Sequence, residues 1–591
     1  MKFRLFLFIL LVNSTFSFSQ SSNYALAENY FRNNEFEKAA QLYKSLVTKS
    51  PYNTSYLTRL TSCYQETNNF KKVDQLITSK LKNRSSLIYL NVILGYNYEK
   101  QQLPDKAEQF YKKAIKGITK KSGYGGTVAN LFKGYNKLDL AIEAYKKASK
   151  VNKNAHYGFQ IAQIYGEKGD FEFMFQEYVD YLDKNDSYLN VVKRYTSRYI
   201  TDDGEDKNNI LFKKVLLKKS VSNPKNVWND LLSWLFTKQK DYGKALIQFK
   251  ALYARNPDKL ASILQLGKIA FENDDFETAK KCFDIIIKDT SYERDKFNAI
   301  LMNLKIAVAT KDPEVDQRFQ DIFTTYGVNK ATFPIQVAYA NYLIFSKNKP
   351  EEAKITLEKA LTFAKNSYQK ARVQLKLADA LVYQNKFNKA LIYFSRIQTR
   401  FKNHQLGQEA RFKVAQTSYF KNDFKWSKAQ LKVLKGSSSQ LIANDAADLF
   451  LTISDNEPKD SLPSGLHKYA QADLLAYQNK NEEAITLLSD VLKEYKGQSI
   501  EDEALFKQAD LFLRQKKYEE AISNYLKITE MDQQGILVDD AYYKLGELYK
   551  NMLNNPEKAS EYYQKIIFDY PSSIYLVDAR KKFRKLRGDT I

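Results

Sequence analysis

The chain has 591 residues, of which 44% are hydrophobic and 27% charged, with 20 Gly and 11 Pro. This length exceeds what one hydrophobic core usually supports, and so little Gly and Pro argues against long disordered linkers or a β-rich fold with many tight turns. The net charge of +24 favours anionic partners. No Arg/Lys-Gly or RNP-like motif accompanies that charge, so we expect no nucleic-acid partner.

The first residues have the form of a targeting segment. Lys2 and Arg4 precede an apolar stretch, residues 5–12, that is too short to span a bilayer comfortably, and residues 17–19 supply a small-residue cleavage site. This pattern predicts a signal peptide over residues 1–19 and an exported protein, periplasmic or associated with the outer membrane. No cysteine lies near the predicted cut, which argues against a lipoprotein anchor. No later apolar run has the length of a membrane span, so we expect no integral membrane segment.

Small and aromatic residues then recur at a step of 34 residues. Two sets show the step: Ala107, Tyr111 and Ala114 return as Ala141, Tyr145 and Ala148, and Ala245 and Phe249 return as Ala279 and Phe283. Several segments also place Leu-Gly and Tyr before the Ala-aromatic-Ala set and Pro after it, as in Leu94, Gly95 and Tyr98. This pattern resembles the tetratricopeptide repeat family. The resemblance implies an all-α solenoid of antiparallel helix pairs, wound as a right-handed superhelix whose concave face binds other macromolecules.

The strength of the repeat divides the chain into four parts after the signal peptide. We predict an N-terminal array over 20–186, a degenerate helical linker over 187–225, a central array over 226–366 and a C-terminal array over 367–591. In the C-terminal array the step lengthens to 37 residues.

Three stretches interrupt the repeat pattern. Residues 201–206 read as a loop within the linker, and residues 295–333 are degenerate but still helical in spacing. The repeat pattern is also absent over 437–463. This segment contains one helix-like run, residues 443–453, followed by a helix-breaking sequence.

The C-terminal repeats carry a second resemblance. They end in the sequence Asp569-Tyr570-Pro571-Ser572-Ser573, which precedes a final amphipathic helix. In repeat style they are similar to the outer-membrane-protein assembly lipoprotein and to the periplasmic coordinator of the Tol–Pal system. The similarity covers the last third of the chain and supports the compartment more than an activity.

Rings and acids alternate on one predicted face of the 37-residue repeats. In this family the fifth and ninth positions of the first helix face the concave groove, and residues four apart share a helix face. These positions hold Leu375 and Asp379, Phe412 and Gln416, Tyr469 and Asp473, Phe506 and Asp510, and Tyr543 and Glu547. Such a ladder suits an extended peptide with basic side chains, or stacked sugar rings. In the alternative interpretation, the rings pack against the neighbouring helix and the acids are solvated. The N-terminal repeats show no comparable ladder.

Little in the sequence indicates catalysis or a bound cofactor. His156, His404 and His467 lack metal-ligand spacing, and there is no nucleophile elbow or Walker motif. Cys63 and Cys282 lie in repeats far apart along a solenoid, so we expect buried thiols and no disulfide. The stretch 580–587 concentrates enough positive charge to contact an anionic partner or surface.

The sequence therefore predicts a non-catalytic scaffold that binds proteins or peptides of the bacterial cell envelope through its concave groove, in envelope assembly or secretion. The alternative is a glycan-binding component like the SusD-type outer-membrane receptors, which also combine such repeats with aromatic platforms. Those receptors normally carry a lipobox cysteine and large insertions, which this sequence lacks.

Overall fold

The computed structural model describes residues 23–120, 122–152, 154–437, 439–457 and 464–589. The predicted signal peptide lies outside these residues. Within them all regular secondary structure is helical, and the described part of the chain contains no strand. The chain divides into two compact units, residues 1–235 (unit 1) and 236–591 (unit 2).

Unit 1 is built from consecutive helices joined by short connections. They are α1 (23–32), α2 (Phe36–Lys49), α3 (Thr54–Glu66), α4 (Phe70–Asn83), α5 (Leu90–Lys100), α6 (Pro104–Lys116), α7 (Gly125–Gly134), α8 (Leu138–Val151), α9 (Gly158–Lys168), α10 (Phe171–Lys184), α11 (Leu189–Thr196) and α12 (Lys207–Ser222), with a 3₁₀ turn at Asp186–Tyr188. The next helix, α13 (Asn226–Lys238), contains the division between the units.

Unit 2 continues in the same style. Its helices are α14 (Tyr242–Tyr253), α15 (Leu260–Glu272), α16 (Phe276–Asp289), α17 (Glu293–Ala309), α18 (Val315–Tyr326), α19 (Phe333–Phe345), α20 (Pro350–Phe363), α21 (Ser367–Tyr383), α22 (Phe387–Arg400), α23 (Gln405–Phe420), α24 (Phe424–Leu434), α25 (Gln440–Asn456), α26 (Leu466–Tyr477), α27 (Asn481–Glu494), α28 (Ile500–Arg514), α29 (Tyr518–Met531), α30 (Val538–Asn551), α31 (Pro556–Asp569) and α32 (Leu576–Arg587), with a 3₁₀ turn at Pro257–Lys259.

One left-handed residue closes the first helix of most pairs. With φ between 49° and 69°, these turn residues are Asn34, Asn68, Gln102 and Asn136 in unit 1, and Lys240, Asp274, Lys311, Asn348, Asn385, Asn422, Asn479, Lys516 and Asn554 in unit 2. Asn is frequent because its short polar side chain tolerates this backbone region better than most residues. The step between turn residues is 34 from Asn34 to Asn136 and 37 from Asp274 to Asn422, so the longer step begins earlier than the sequence indicated.

Small residues let the two helices of a pair approach closely, as the sequence pattern implied. A Cβ placed on Gly95 would lie 2.4 Å from the ring of Tyr111, and one on Gly546 would lie 2.6 Å from the ring of Tyr563. Both tyrosine rings are buried. The Leu-Gly position of the first helix therefore accommodates the aromatic ring of the second.

The two cysteines are free and buried, which confirms the prediction of unpaired thiols. Burial raises the pKa of each thiol, Cys63 and Cys282, to about 12. A thiol with so high a pKa carries almost no thiolate near neutral pH, so neither is suited to nucleophilic or redox chemistry.

The structure describes most of the predicted interruptions, while residues 438 and 458–463 of the segment 437–463 lie outside the described ranges. Residues 201–206 are non-helical between α11 and α12, and the run at 443–453 belongs to the longer α25. The degenerate stretch 295–333 includes most of α17, all of α18 and the turn residue Lys311.

Unit 2 also makes a contact between distant repeats. The Tyr383 hydroxyl donates to the carbonyl oxygen of Gln478, and the Gln478 amide donates to the Tyr383 carbonyl at 2.9 Å and to Asn385 Oδ1 at 2.8 Å. The ring of Tyr477 lies 5.3 Å from that of Phe345, centroid to centroid. The C-terminal ends of α21 and α26 are therefore joined across 95 residues of sequence.

Candidate partner-binding groove

The four predicted groove rings all pack within the protein. The ring of Phe506 meets Tyr525 edge-on at 5.4 Å, and that of Tyr543 stacks on Tyr575 at 4.1 Å with 15° between the ring planes. Tyr469 is buried, and Phe412 is half-buried against the core. The rings therefore contribute to packing between helices.

The predicted groove acids are bound by the chain's own donors. Each accepts a hydrogen bond from a tyrosine hydroxyl and pairs with a lysine on the next repeat's first helix or on the final helix. We call these pairs the acid–lysine ladder: Asp473 with Tyr419 (3.3 Å) and Lys507, Asp510 with Tyr525 (2.8 Å) and Lys544 (3.6 Å), and Glu547 with Tyr563 and Lys582 (2.6 Å).

This pairing changes the electrostatics of the ladder. Burial alone would raise the pKa of Glu547, but the hydrogen bonds from Lys582 and Tyr563 hold that pKa below its ordinary value. Burial opposes the charge of Lys582, yet Asp578, Glu547 and Tyr543 raise its pKa. The carboxylates are thus partly exposed, but each already has internal partners, with which a basic peptide would have to compete.

One further groove position is closed by the chain itself. Asp379, the ninth-position acid of α21, is 1% exposed. It accepts from Lys376 at 2.9 Å and from the Tyr477 hydroxyl at 3.3 Å, and lies 3.5 Å from Lys413. Lys376 and Lys413 hold the pKa of Asp379 below its usual value although its burial acts in the opposite direction. The contact between α21 and α26 therefore covers the predicted groove surface at Asp379.

A small open cavity remains where α23, α26 and α28 meet. It measures about 230 Å³. We call it the α23–α28 groove, and its lining residues are Gln416, Phe420, Asp473, Ala476, Tyr477, Lys507 and Arg514. Arg514 is exposed and forms no ion pair with any residue that the structure describes. Of the predicted site residues, Asp473 alone lines this groove, together with Gln416 from the corresponding position of α23.

Unit 1 contains pairs like those of the ladder, which the sequence interpretation missed. Arg59 donates to both oxygens of Glu28, at 2.8 and 3.1 Å, and the Tyr43 hydroxyl donates to the same carboxylate at 2.5 Å. Glu99 accepts from the hydroxyl of Tyr111 at 2.9 Å in the same way. The signal was a first-helix acid followed about one repeat later by a cation, Arg59 after Glu28 and Lys137 after Glu99.

The basic stretch 580–587 is partly neutralised. Lys582 is held by Glu547 and Asp578, and Arg587 pairs with Asp589. Arg580 and Lys585 are exposed. The charge available to an anionic surface is therefore smaller than the sequence suggests.

Other sites are not evident in the described ranges. They contain no group of three His, Cys, Asp or Glu side chains arranged to hold a metal ion. His404 instead accepts a hydrogen bond from the backbone N–H of Leu406 at 3.1 Å and caps α23. None of the described helices is both long and apolar enough to cross a membrane.

Comparison with known proteins identifies the repeats. Models of the tetratricopeptide repeat match residues 22–51, 88–116, 469–536 and 540–573. A comparison with curated protein sequences gives no match.

Two solved structures align over 96% of this chain and 96% of their own. One is Naa15/Naa10 bound to HypK-THB, at 11% identity with a TM-score of 0.27, and the other is the APC/C hetero-tetramer Cut9-Hcn1, at 13% identity with a TM-score of 0.22. Neither superposition is close enough to bear on function. The four matched segments nevertheless establish that the chain contains tetratricopeptide repeats and folds as an all-α solenoid of helix pairs.

Proposed function

We propose that this protein is a non-catalytic interaction scaffold of the bacterial cell envelope that binds an extended segment of a partner protein in the α23–α28 groove. Repeat solenoids usually bind other macromolecules through the surface that their stacked units share. The observation that carries the proposal is this groove, where first helices from three repeats place polar and apolar side chains side by side.

The groove's chemistry favours a particular kind of segment. Arg514 supplies an exposed cation, and Lys507 supplies a second one that is shared with Asp473. Phe420 and Tyr477 supply the apolar wall. A partner segment with an acidic side chain next to an apolar one fits this arrangement, because the acid would pair with Arg514 without displacing a ladder lysine.

The glycan-binding alternative finds less support in the same region. Sugar stacking needs an open ring face, whereas the face of Tyr543 is covered by Tyr575 on one side and approached by Lys582 at 4.7 Å. Phe506 is similarly approached by Lys544 at 5.8 Å. These rings would have to leave their packing to act as a platform.

Site-specific photocrosslinking in native cells tests the groove. A photoreactive residue at position 416 or 514 should give the same discrete protein adduct, while one at Ile392, exposed on α22, should not. The substitution Arg514→Ala should reduce the adduct formed from position 416. An equal adduct pattern from Ile392, or no adduct from either groove position, would contradict the proposal.

The compartment is a separate part of the proposal and rests on the sequence. Its support is the signal-like segment 1–19 and the resemblance of the last repeats to those of known cell-envelope proteins. Fractionation of the producing cells should place the protein in the envelope, and mass spectrometry of its N-terminus should show removal of residues 1–19. Recovery of the full-length chain from the cytosol would rule this part out without affecting the groove.

A further inference from the structure

A larger and more apolar cavity lies elsewhere in unit 2. It measures about 660 Å³, within the range typical of small-molecule sites. It is lined by α17, α18, α19 and α21 and opens to solvent, and we call it the α17–α21 cavity. Its lining residues are Leu301, Leu304, Lys305, Val308, Ala309, Phe319, Phe333, Pro334, Val337, Ala338, Asn341, Tyr342, Gln369, Arg372 and Lys376.

The cavity has an apolar floor and a cationic rim. Leu304, Phe319 and Phe333 are buried and form the floor. Lys305 and Arg372 line the same cavity but are exposed, so they lie where it opens to solvent. No Asp or Glu is among the lining residues.

The two rim cations lack acidic partners. Within the described residues, neither Lys305 nor Arg372 forms a salt bridge, and the contacts of Arg372 are with the ring and hydroxyl of Tyr368. Burial of its stem and the charge of Arg372 lower the pKa of Lys305. An anion placed between the two would relieve this repulsion and pair with both.

Few polar groups are available to a peptide inside the cavity. Every residue of a bound peptide brings an N–H and a C=O that cost free energy if they are buried without partners. Away from the rim, the polar side chains of the lining are the amides of Asn341 and Gln369, the hydroxyl of Tyr342 and the ammonium group of Lys376, which already pairs with Asp379. A plain hydrocarbon chain has no such requirement, so this lining favours it over a polypeptide.

We propose that the α17–α21 cavity binds a single-chain amphipathic anion, with its hydrocarbon chain in the apolar floor and its carboxylate between Lys305 and Arg372. This site is separate from the α23–α28 groove and does not depend on the proposed scaffold function.

Calorimetric titration of the full chain with sodium dodecanoate, below its micellar concentration, tests the site. We expect saturable one-to-one binding that weakens at least tenfold in Lys305→Gln/Arg372→Gln. The matched control Lys389→Gln/Arg396→Gln removes two exposed cations of α22 and should leave the affinity unchanged. Absence of saturable binding, or an equal loss in the control, would overturn the proposal.

Two further measurements separate the chain from the headgroup. Ala338→Trp fills the cavity and should abolish binding while the helical circular dichroism signal is retained. The uncharged glycerol monoester of dodecanoic acid should bind the wild type and Lys305→Gln/Arg372→Gln equally well. Undiminished dodecanoate binding in Ala338→Trp, or a short acidic apolar peptide that displaces dodecanoate at lower concentration, would contradict a lipid-type ligand.

Discussion

The last repeats of unit 2 and its α17–α21 segment use the same helix-pair architecture but treat charge differently. Along α28 to α32, Asp510 and Glu547 each receive a tyrosine hydroxyl and a lysine from a neighbouring helix. Around α17, Lys305 and Arg372 have no carboxylate partner among the described residues, and a 660 Å³ cavity opens beside them. The ladder acids are thus paired with lysines of the same chain, whereas in the described structure the α17–α21 segment leaves two cations without carboxylate partners beside a cavity.

The largest effect that we expect in this comparison is the change in stability when side-chain volume is added in each region. Gly546→Val should destabilise the protein by about 3 kcal/mol, because its side chain would collide with the buried ring of Tyr563. Ala338→Val projects into the α17–α21 cavity and should cost less than about 1 kcal/mol. Urea unfolding followed by circular dichroism measures both. Equal costs would mean that the two regions are packed equally well.

The second test removes a ladder lysine. Lys582→Met leaves Glu547 and Asp578 without their shared cation and should cost about 2 kcal/mol. Since the folded-state pKa of Glu547 is lowered, its contribution is complete above the unfolded value near 4.5 and is lost as the pH falls through the folded value. The variant should therefore lose less stability than the wild type between neutral pH and pH 3.

The matched control for this test is Lys585→Met. Lys585 lies on the same helix and is exposed. Its removal should change the unfolding midpoint very little at any pH. A comparable loss in both variants would show that the ladder lysine acts only through net charge.

The third test concerns an acid next to the irregular α25. Glu503 has no ladder lysine: Asn456 of α25 donates to its Oε1 at 2.8 Å, and its Oε2 is buried without a partner in the described structure. Burial and the neighbouring Asp502 raise the pKa of Glu503 to about 9. Because the folded-state pKa of Glu503 is raised, this group makes the folded protein less stable as the pH rises from the unfolded value near 4.5 towards 9.

Glu503→Gln should remove that loss and stabilise the protein by at least about 1 kcal/mol at pH 8, with little effect at pH 4.5. Thermal unfolding at the two pH values measures the difference. The exposed Glu530, changed to Gln, should give no pH-dependent gain. If both variants shift the midpoint alike, then Glu503 is ionised in the folded protein and the contrast with Glu547 disappears.

The fold was accessible from the sequence because each repeat encodes it locally. Gly95 and Tyr111, on the two helices of one pair, identify the close approach that the structure shows. The burial of Cys63 and Cys282 followed from their helix-packing positions in the same way. These inferences need only the spacing within a helix pair.

The site was less accessible, because its properties depend on neighbours outside the repeat. The spacing assigns Tyr543 to the same repeat position as Phe506 but does not reveal that Tyr575 covers its ring. The contact of Gln478 with Tyr383 joins residues 95 positions apart, beyond the reach of a periodic pattern. The α17–α21 cavity arises where the pattern fades, so no repeat position could predict it.

The smallest test asks whether the two regions differ in their backbone as well. Lys311 in the irregular segment and Lys516 in the regular one have φ values of 54° and 61°, a conformation that costs a side-chain-bearing residue about 1 kcal/mol. Replacing either by Gly relieves that cost but adds backbone entropy to the unfolded chain, so each should gain about 0.5 kcal/mol. Lys527→Gly, on the exposed face of α29, should instead lose about 1 kcal/mol. Similar gains at Lys311 and Lys516 in thermal unfolding would locate the difference between the regions in their side chains alone, whereas a gain confined to Lys516 would place part of it in the backbone of α17 and α18.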